Sequence, residues 1–182
     1  MNRNKRAWPS EPALLFIGTL CADQEVSNHA QKILQGNFGA LLSESPSLPW
    51  DYSPYYKDEL GWPISRQFLF FENLIDPGLL VGIKQKTNEI EEELSLNGKR
   101  RINLDPGYLT LSKIVLASTK NYAHRVYLGK GIYAEVTMIF RDDTFRPHLF
   151  TYRDYQDTAC IEIFMNARGM LKKMITKDGN QF

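Results

Sequence analysis

The chain predicts a single α+β domain, ferredoxin-like in its first two-thirds and extended by a β-hairpin and a C-terminal helix. Three observations carry that expectation. Segments of strand and helix periodicity alternate as β-α-β-β-α-β over residues 13–104, the split arrangement of ferredoxin-like domains. "AHRVYLGKGIYAEVTMIFR" alternates on either side of Gly129-Lys130-Gly131, as a hairpin with a three-residue turn does. From about Asp157 onward, Ile161, Phe164, Met165, Leu171 and Met174 recur at helical spacing.

The first strand covers residues 13–20, "ALLFIGTL", too apolar to face water on either side. A helix over 25–36 follows, with Val26, Ala30, Ile33 and Leu34 on one stripe and Gly36 and Gly39 near its stop. "ALLSESPSL" reads as a second, proline-ended strand, and "RQFLFFENL", residues 66–74, as an aromatic-rich third. Asp76 then caps a helix with Pro77 at its first position. Leu80, Ile83, Ile90 and Leu94 form its apolar stripe, with Lys84, Lys86, Glu89, Glu91 and Glu92 expected opposite; Asn97-Gly98 ends it. "RRINL", residues 100–104, is the fourth strand.

A second Asp-Pro-Gly, at 105–107, offers a poorer helix start, because Gly107 would occupy the first turn. Thr110 is the better cap, since Leu111, Ile114, Val115 and Ser118 then share a face. A strand there would put Lys113 between Leu111 and Val115 on one apolar side, so a helix is expected. Asp105 falls in the turn before it. The hairpin, 123–128 with 132–141, is expected to pair Leu128 with Ile132. That register sets Arg125 against Glu135 and Tyr127 against Tyr133, with His124 on the opposite, more apolar face.

At 182 residues the chain suits one domain, residues 1–182, with a core that needs no disulfide or metal. An apolar fraction of 43% and a charged fraction of 24% exclude a disordered chain. A net charge of +1 argues against a broadly basic nucleic-acid surface. Cys21 and Cys160 stand alone, as reduced core cysteines do in cytosolic proteins. "MNRNKRAWPSEPALLFIGTLCA" imitates a signal peptide, but Pro9, Glu11 and Pro12 interrupt it and Leu20 precedes the cysteine. No stretch is long enough to cross a bilayer. A soluble, cytoplasmic protein is expected, with residues 1–12 flexible and no membrane partner.

The densest chemistry lies between residues 105 and 135. A helix start at Thr110 would offer free N–H groups, with Ser112, Lys113, Tyr108 and Arg125 around a small anionic, phosphorylated ligand. Asp105, His124 and Glu135 are the candidates for polarising it or exchanging a proton. Generic capped helices use the same residues, so density rather than specificity carries this expectation. No close ligand spacing marks a metal site. The loop "SLPWDYSPYYKDELGWP", 47–63, is either an aromatic lid over a ligand or a self-packed cover. A non-enzymatic module pairing through sheet edges or this loop, with a homodimer as one form, is the alternative.

"NLDPGYLTLSKIVLASTKNYAHRVYLGKGIYAEVTMIFR" and "FLFFENLIDP", with "LFIGTL" and "PWDYSPYY", resemble a prokaryotic family catalogued as a domain of unknown function. The resemblance covers nearly the whole chain. Some members carry the label GTP-binding protein, which this sequence does not support: G-x-x-x-x-G-K-[ST] is absent, and "GKGIY" is a hairpin turn. The resemblance leaves the cofactor unknown and assigns no catalytic residue.

Overall fold

The computed structural model describes residues 10–178; the stretch expected to be flexible lies, up to residue 9, outside the described residues. The elements in order are β1 (Ala13–Cys21), α1 (Gln24–Phe38), β2 (Leu41–Glu44), β3 (Leu48–Trp50) and α2 (Tyr55–Leu60). Then come β4 (Ile64–Ile75), α3 (Leu80–Glu93), β5 (Ile102–Leu109) and β6 (Lys113–Ser118). The chain ends with β7 (Val126–Gly129), β8 (Ile132–Arg141), β9 (Thr144–Pro147) and α4 (Thr158–Asp178). The fold is α+β. Its strands join one sheet in the order β2-β4-β1-β5-β6-β8-β7, with β3 also on β4 and β9 on β8, every pairing antiparallel.

All of β1 is buried because helices cover both faces of the sheet. Leu14 and Phe16 meet Phe164 and Leu171 of α4, while Leu15 and Ile17 meet Val26 and Leu34 of α1 and Ile83 of α3. Alternate side chains of one strand thus feed two cores, each fully buried one contributing about 1.5–3 kcal/mol. Asp23 caps α1 by accepting from Glu25 N at 2.9 Å and Val26 N at 3.3 Å. Asp76 accepts from Gly78 N at 2.7 Å, and Pro77 opens a single 3-10 turn leading into α3. We expect Asp76→Ala to lower stability by about 1 kcal/mol in denaturant titration, as loss of a cap does.

Four expectations are corrected. The segment after Thr110 is strand β6, not a helix: Ile114 and Leu116 enter the α4 core while Val115 and Ala117 enter a cluster beside α3. A central strand covered on both faces reads as a continuous apolar run, and the lysine at its start takes no side. "ALLSESPSL" supplies two short strands, β2 and most of β3, both on β4. Lys84 and Glu91 lie on the buried side of α3, only 6% and 5% exposed. In the hairpin Tyr127 does face Tyr133, but a bulge pairs Gly129 with Ile132, leaving Lys130 and Gly131 (φ 51 and 75) as the turn. Cys21 and Cys160 are free and buried.

Candidate functional site

The second Asp-Pro-Gly lies inside β5, and it explains the main cavity. Gly107, Tyr108 and Leu109 pair with Leu116, Val115 and Ile114 of β6; the ladder reaches no further. Pro106 has no N–H to extend it. Before that point β5 and β6 part company. The open edge of β5 is then satisfied by α3: Leu104 N donates to Glu91 Oε1, and Lys84 Nζ donates to the Leu104 carbonyl at 2.9 Å. Charged side chains replace a missing strand, which is why they sit on the buried stripe of α3.

The split is the wall of a cavity of about 490 Å³, within the range of small-molecule sites. Five acids and five bases line it: Glu59, Glu91, Asp105, Glu135 and Asp154 against Arg66, Lys84, Arg100, Lys120 and Arg125. The guanidiniums are committed. Arg66 donates to Asp154 at 2.8 and 3.0 Å and to Asp105 at 3.1 Å. Gly18, opposite Asp105, leaves it room: a Cβ there would lie 3.0 Å from Arg66 Nη1. Arg100 grips both oxygens of Glu59 at 2.7 Å and reaches Glu91 and Asn103. Arg125 donates to Glu135 at 2.7 Å, to Ser118, to the Lys120 carbonyl and to the Tyr152 hydroxyl.

What remains unspent is more informative. Lys84 and Lys120 form no ion pair among the described residues. Asn103 is 4% exposed; its carbonyl accepts from Arg100 at 3.0 Å, which fixes the amide and leaves Nδ2 without a partner. The Tyr155 hydroxyl, also buried, has none either. Burial pushes that phenol well above its usual 10.0, so it is protonated and able to donate. Asp105 is 29% open; Arg66 donates to it at 3.1 Å, and the neighbouring Asn103 amide also favours its ionised form. Two unsatisfied buried groups in one cavity are a costly arrangement that a polar ligand would relieve.

Burial raises the carboxyl of Asp105, but Arg66 and Lys84 outweigh it and hold the group below its ordinary 3.8. A depressed folded-state value means stability present above the unfolded value and lost as pH falls through the folded one. Glu91 is raised by burial despite Lys84 and Arg100, so its protonation works the other way. We therefore expect Asp105→Asn to lose less stability than the parent between about pH 5 and pH 3. Chemical denaturation at stepped pH reads the difference. An unchanged acid limb would mean that Asp105 carries no native-state charge.

The structure brings Asp105, Arg125 and Glu135 to the cavity wall, with His124 behind. His124 Nε2 lies 3.0 Å from Glu135, and its ring stacks on Phe150 at 4.6 Å. It shares Glu135 with Arg125, rather than facing away, because Arg125 precedes β7 in a turn where its N–H meets the Tyr122 carbonyl. Period-two alternation does not reach that far back. Tyr108, Thr110, Ser112 and Lys113 lie elsewhere. Thr110 and Ser112 form the tight β5–β6 turn, and five strand steps, about 16 Å, separate Lys113 from Ser118. No helix start exists there to hold an anion.

Sequence reasoning missed Arg66, Lys84, Glu91, Arg100, Asn103, Asp154 and Tyr155. Two signals were available. Lys84 and Glu91 sit seven residues apart, at the same rotation as Leu80 and Thr87. Asn103 and Asp105 alternate with Ile102 and Leu104, placing polar groups on one side of a strand. The aromatic loop is neither a simple lid nor a bare cover. It holds β3 and α2, ties Trp50 Nε1 to Asp154 at 3.0 Å, and contributes Tyr55 and Tyr56 to the wall.

Fold and site together define an antiparallel α+β domain opened at one place by a proline, with an ionic, ligand-sized cleft inside. A family model described as Domain of unknown function (DUF4416) matches residues 11–170, and the chain belongs to that family. No curated protein and no solved structure matches it. Among the described residues no helix is long and apolar enough to cross a membrane, and no group of three His, Cys, Asp or Glu is placed to hold a metal ion.

Proposed function

We propose that the protein binds a small anionic, phosphorylated metabolite in the split between β5 and β6, in the cytoplasm. One observation supports this above the others: Asn103 Nδ2 and Tyr155 OH are buried donors without partners beside Lys84 in the same cavity. Groups that cost stability when unpaired are retained where a ligand pairs them. Arg125 and Glu135, paired to each other, shape the wall. Lys120 carries the attraction for the anion, and Asp105, ionised and partly open, is the group able to orient a ligand or take its proton.

A ligand bound only by the folded state stabilises it by about 2.7 kcal/mol at a hundredfold excess over Kd. Thermal-shift screening against sugar phosphates, nucleotides, pyrophosphate and phosphate should therefore raise the melting temperature with at least one compound. Lys120→Ala should abolish most of that shift, and Lys113→Ala, at the far end of β6, should leave it intact. The reverse pattern, or no shift at millimolar concentration, would contradict the proposal.

A second reading rests on the edge strand β7, where Val126 is 68%, Tyr127 58% and Leu128 43% exposed. An edge of this kind pairs with a partner strand. Sedimentation showing a dimer that Tyr127→Lys disperses, together with a silent ligand screen, would favour it.

A further inference from the structure

Resting on that reading of the cavity, we propose that the metabolite is a phosphorylated sugar or polyol. It sits with hydroxyls on the floor against Asp105, Asn103 and Tyr155, and with its phosphate at the mouth beside Lys120. The floor is electrically balanced. Lys84 there is opposed by Glu91 and Asp105, both of which interact with it or with Arg66 and Arg100. A phosphate on the floor would bring negative charge against these two carboxylates in a site poor in water, where like charges repel strongly. An ionised phosphate also only accepts hydrogen bonds, apart from any proton it retains. It could engage Asn103 Nδ2 and Tyr155 OH, but it would leave the open side of Asp105 facing another anion.

A hydroxyl has the opposite property. It accepts from an amide or phenol and donates to a carboxylate at the same time. Asn103 and Asp105 sit two residues apart on one strand, so their side chains share a side, with Tyr155 near Asp105. A run of hydroxyls can therefore satisfy donors and acceptor together. Trp50 and Tyr56, edge to face at 5.3 Å on the adjoining wall, offer apolar surface to the C–H side of such a molecule. The mouth differs. Lys120 is exposed, stands 5.8 Å from the ring of exposed Tyr55, and forms no ion pair among the described residues. An anion placed there remains partly hydrated and meets a cation that no salt bridge occupies, since the neighbouring Glu59, whose charge reaches Lys120, is held by Arg100.

Calorimetric titration with glucose 6-phosphate, ribose 5-phosphate, glycerol 3-phosphate, the free sugars, phosphate and pyrophosphate separates the contributions. At least one sugar or polyol phosphate should bind tenfold or more tightly than phosphate and than its own unphosphorylated form. Asn103→Ala and Asp105→Asn should each remove most of the advantage over phosphate. Lys120→Ala should remove the advantage over the free sugar. If Asp105→Asn unfolds by releasing Arg66, Asn103→Ala alone decides. Phosphate or pyrophosphate binding as tightly as every sugar phosphate would overturn the hydroxyl floor and leave anion binding standing. Binding of none of the phosphorylated probes would overturn both.

Discussion

Glu135→Ala lowers the stability of the protein by about 3–5 kcal/mol, the cost of breaking a buried ion pair from one side. The pair is buried in full: the Arg125 and Glu135 side chains are 1% and 2% exposed, with Arg125 Nε 2.7 Å from Glu135. Without the carboxylate, Arg125 retains Ser118, the Lys120 carbonyl and Tyr152, all neutral acceptors that do not balance its charge. His124 loses its partner as well. Glu135→Gln, which keeps an acceptor, should cost less. Removing both charges in Arg125→Met/Glu135→Leu should cost clearly less than the two single changes added together. Denaturant melts of the parent, the two single variants and the double variant measure this cycle. A fully additive double variant would show that the pair is not the unit holding this wall.

Gly107→Ala should cost about 3 kcal/mol, the upper end of what overpacking typically produces. An added Cβ would stand 2.5 Å from the Val115 carbonyl oxygen and 2.5 Å from Phe16 Cζ. The first obstacle is backbone of β6. The second is a ring held edge-on by Phe164 at 4.9 Å, so neither yields easily. The last joined pair before the split would be prised apart, and the cavity would widen with it. A variant as stable as the parent would mean that β5 and β6 are not closely joined at Gly107.

Much of the fold was legible in the residues. The all-buried first strand, the Asp76 helix start, the aromatic β4 and the hairpin each declare themselves over a few neighbouring positions. What failed was the segment 111–118. Periodicity separates strand from helix only when one face meets water, and Ile114 to Ala117 meet core on both. Pro106-Gly107 compounded the error, because in mid-strand they look like punctuation. Three of the eight candidate residues, Asp105, Arg125 and Glu135, reach the cavity. The other cavity groups could not be collected from spacing: Arg66, Lys84, Arg100 and Asp154 come from separate parts of the chain and meet only through sheet order. The clues within reach were two charges on the buried stripe of α3 and two polar residues on one side of β5, local rules broken where a site lies.

The central claim is that an anionic, hydroxylated ligand enters the split between β5 and β6. Titrating ¹⁵N-labelled protein with glucose 6-phosphate, and with phosphate in parallel, tests it most directly. The account predicts the largest chemical-shift changes at the Asn103 side-chain amide and at the Leu104 and Lys120 backbone amides, with the Asn103 response confined to the sugar phosphate. Changes clustered at the 110–113 turn or along the β7 edge, with Asn103 unmoved, would contradict it.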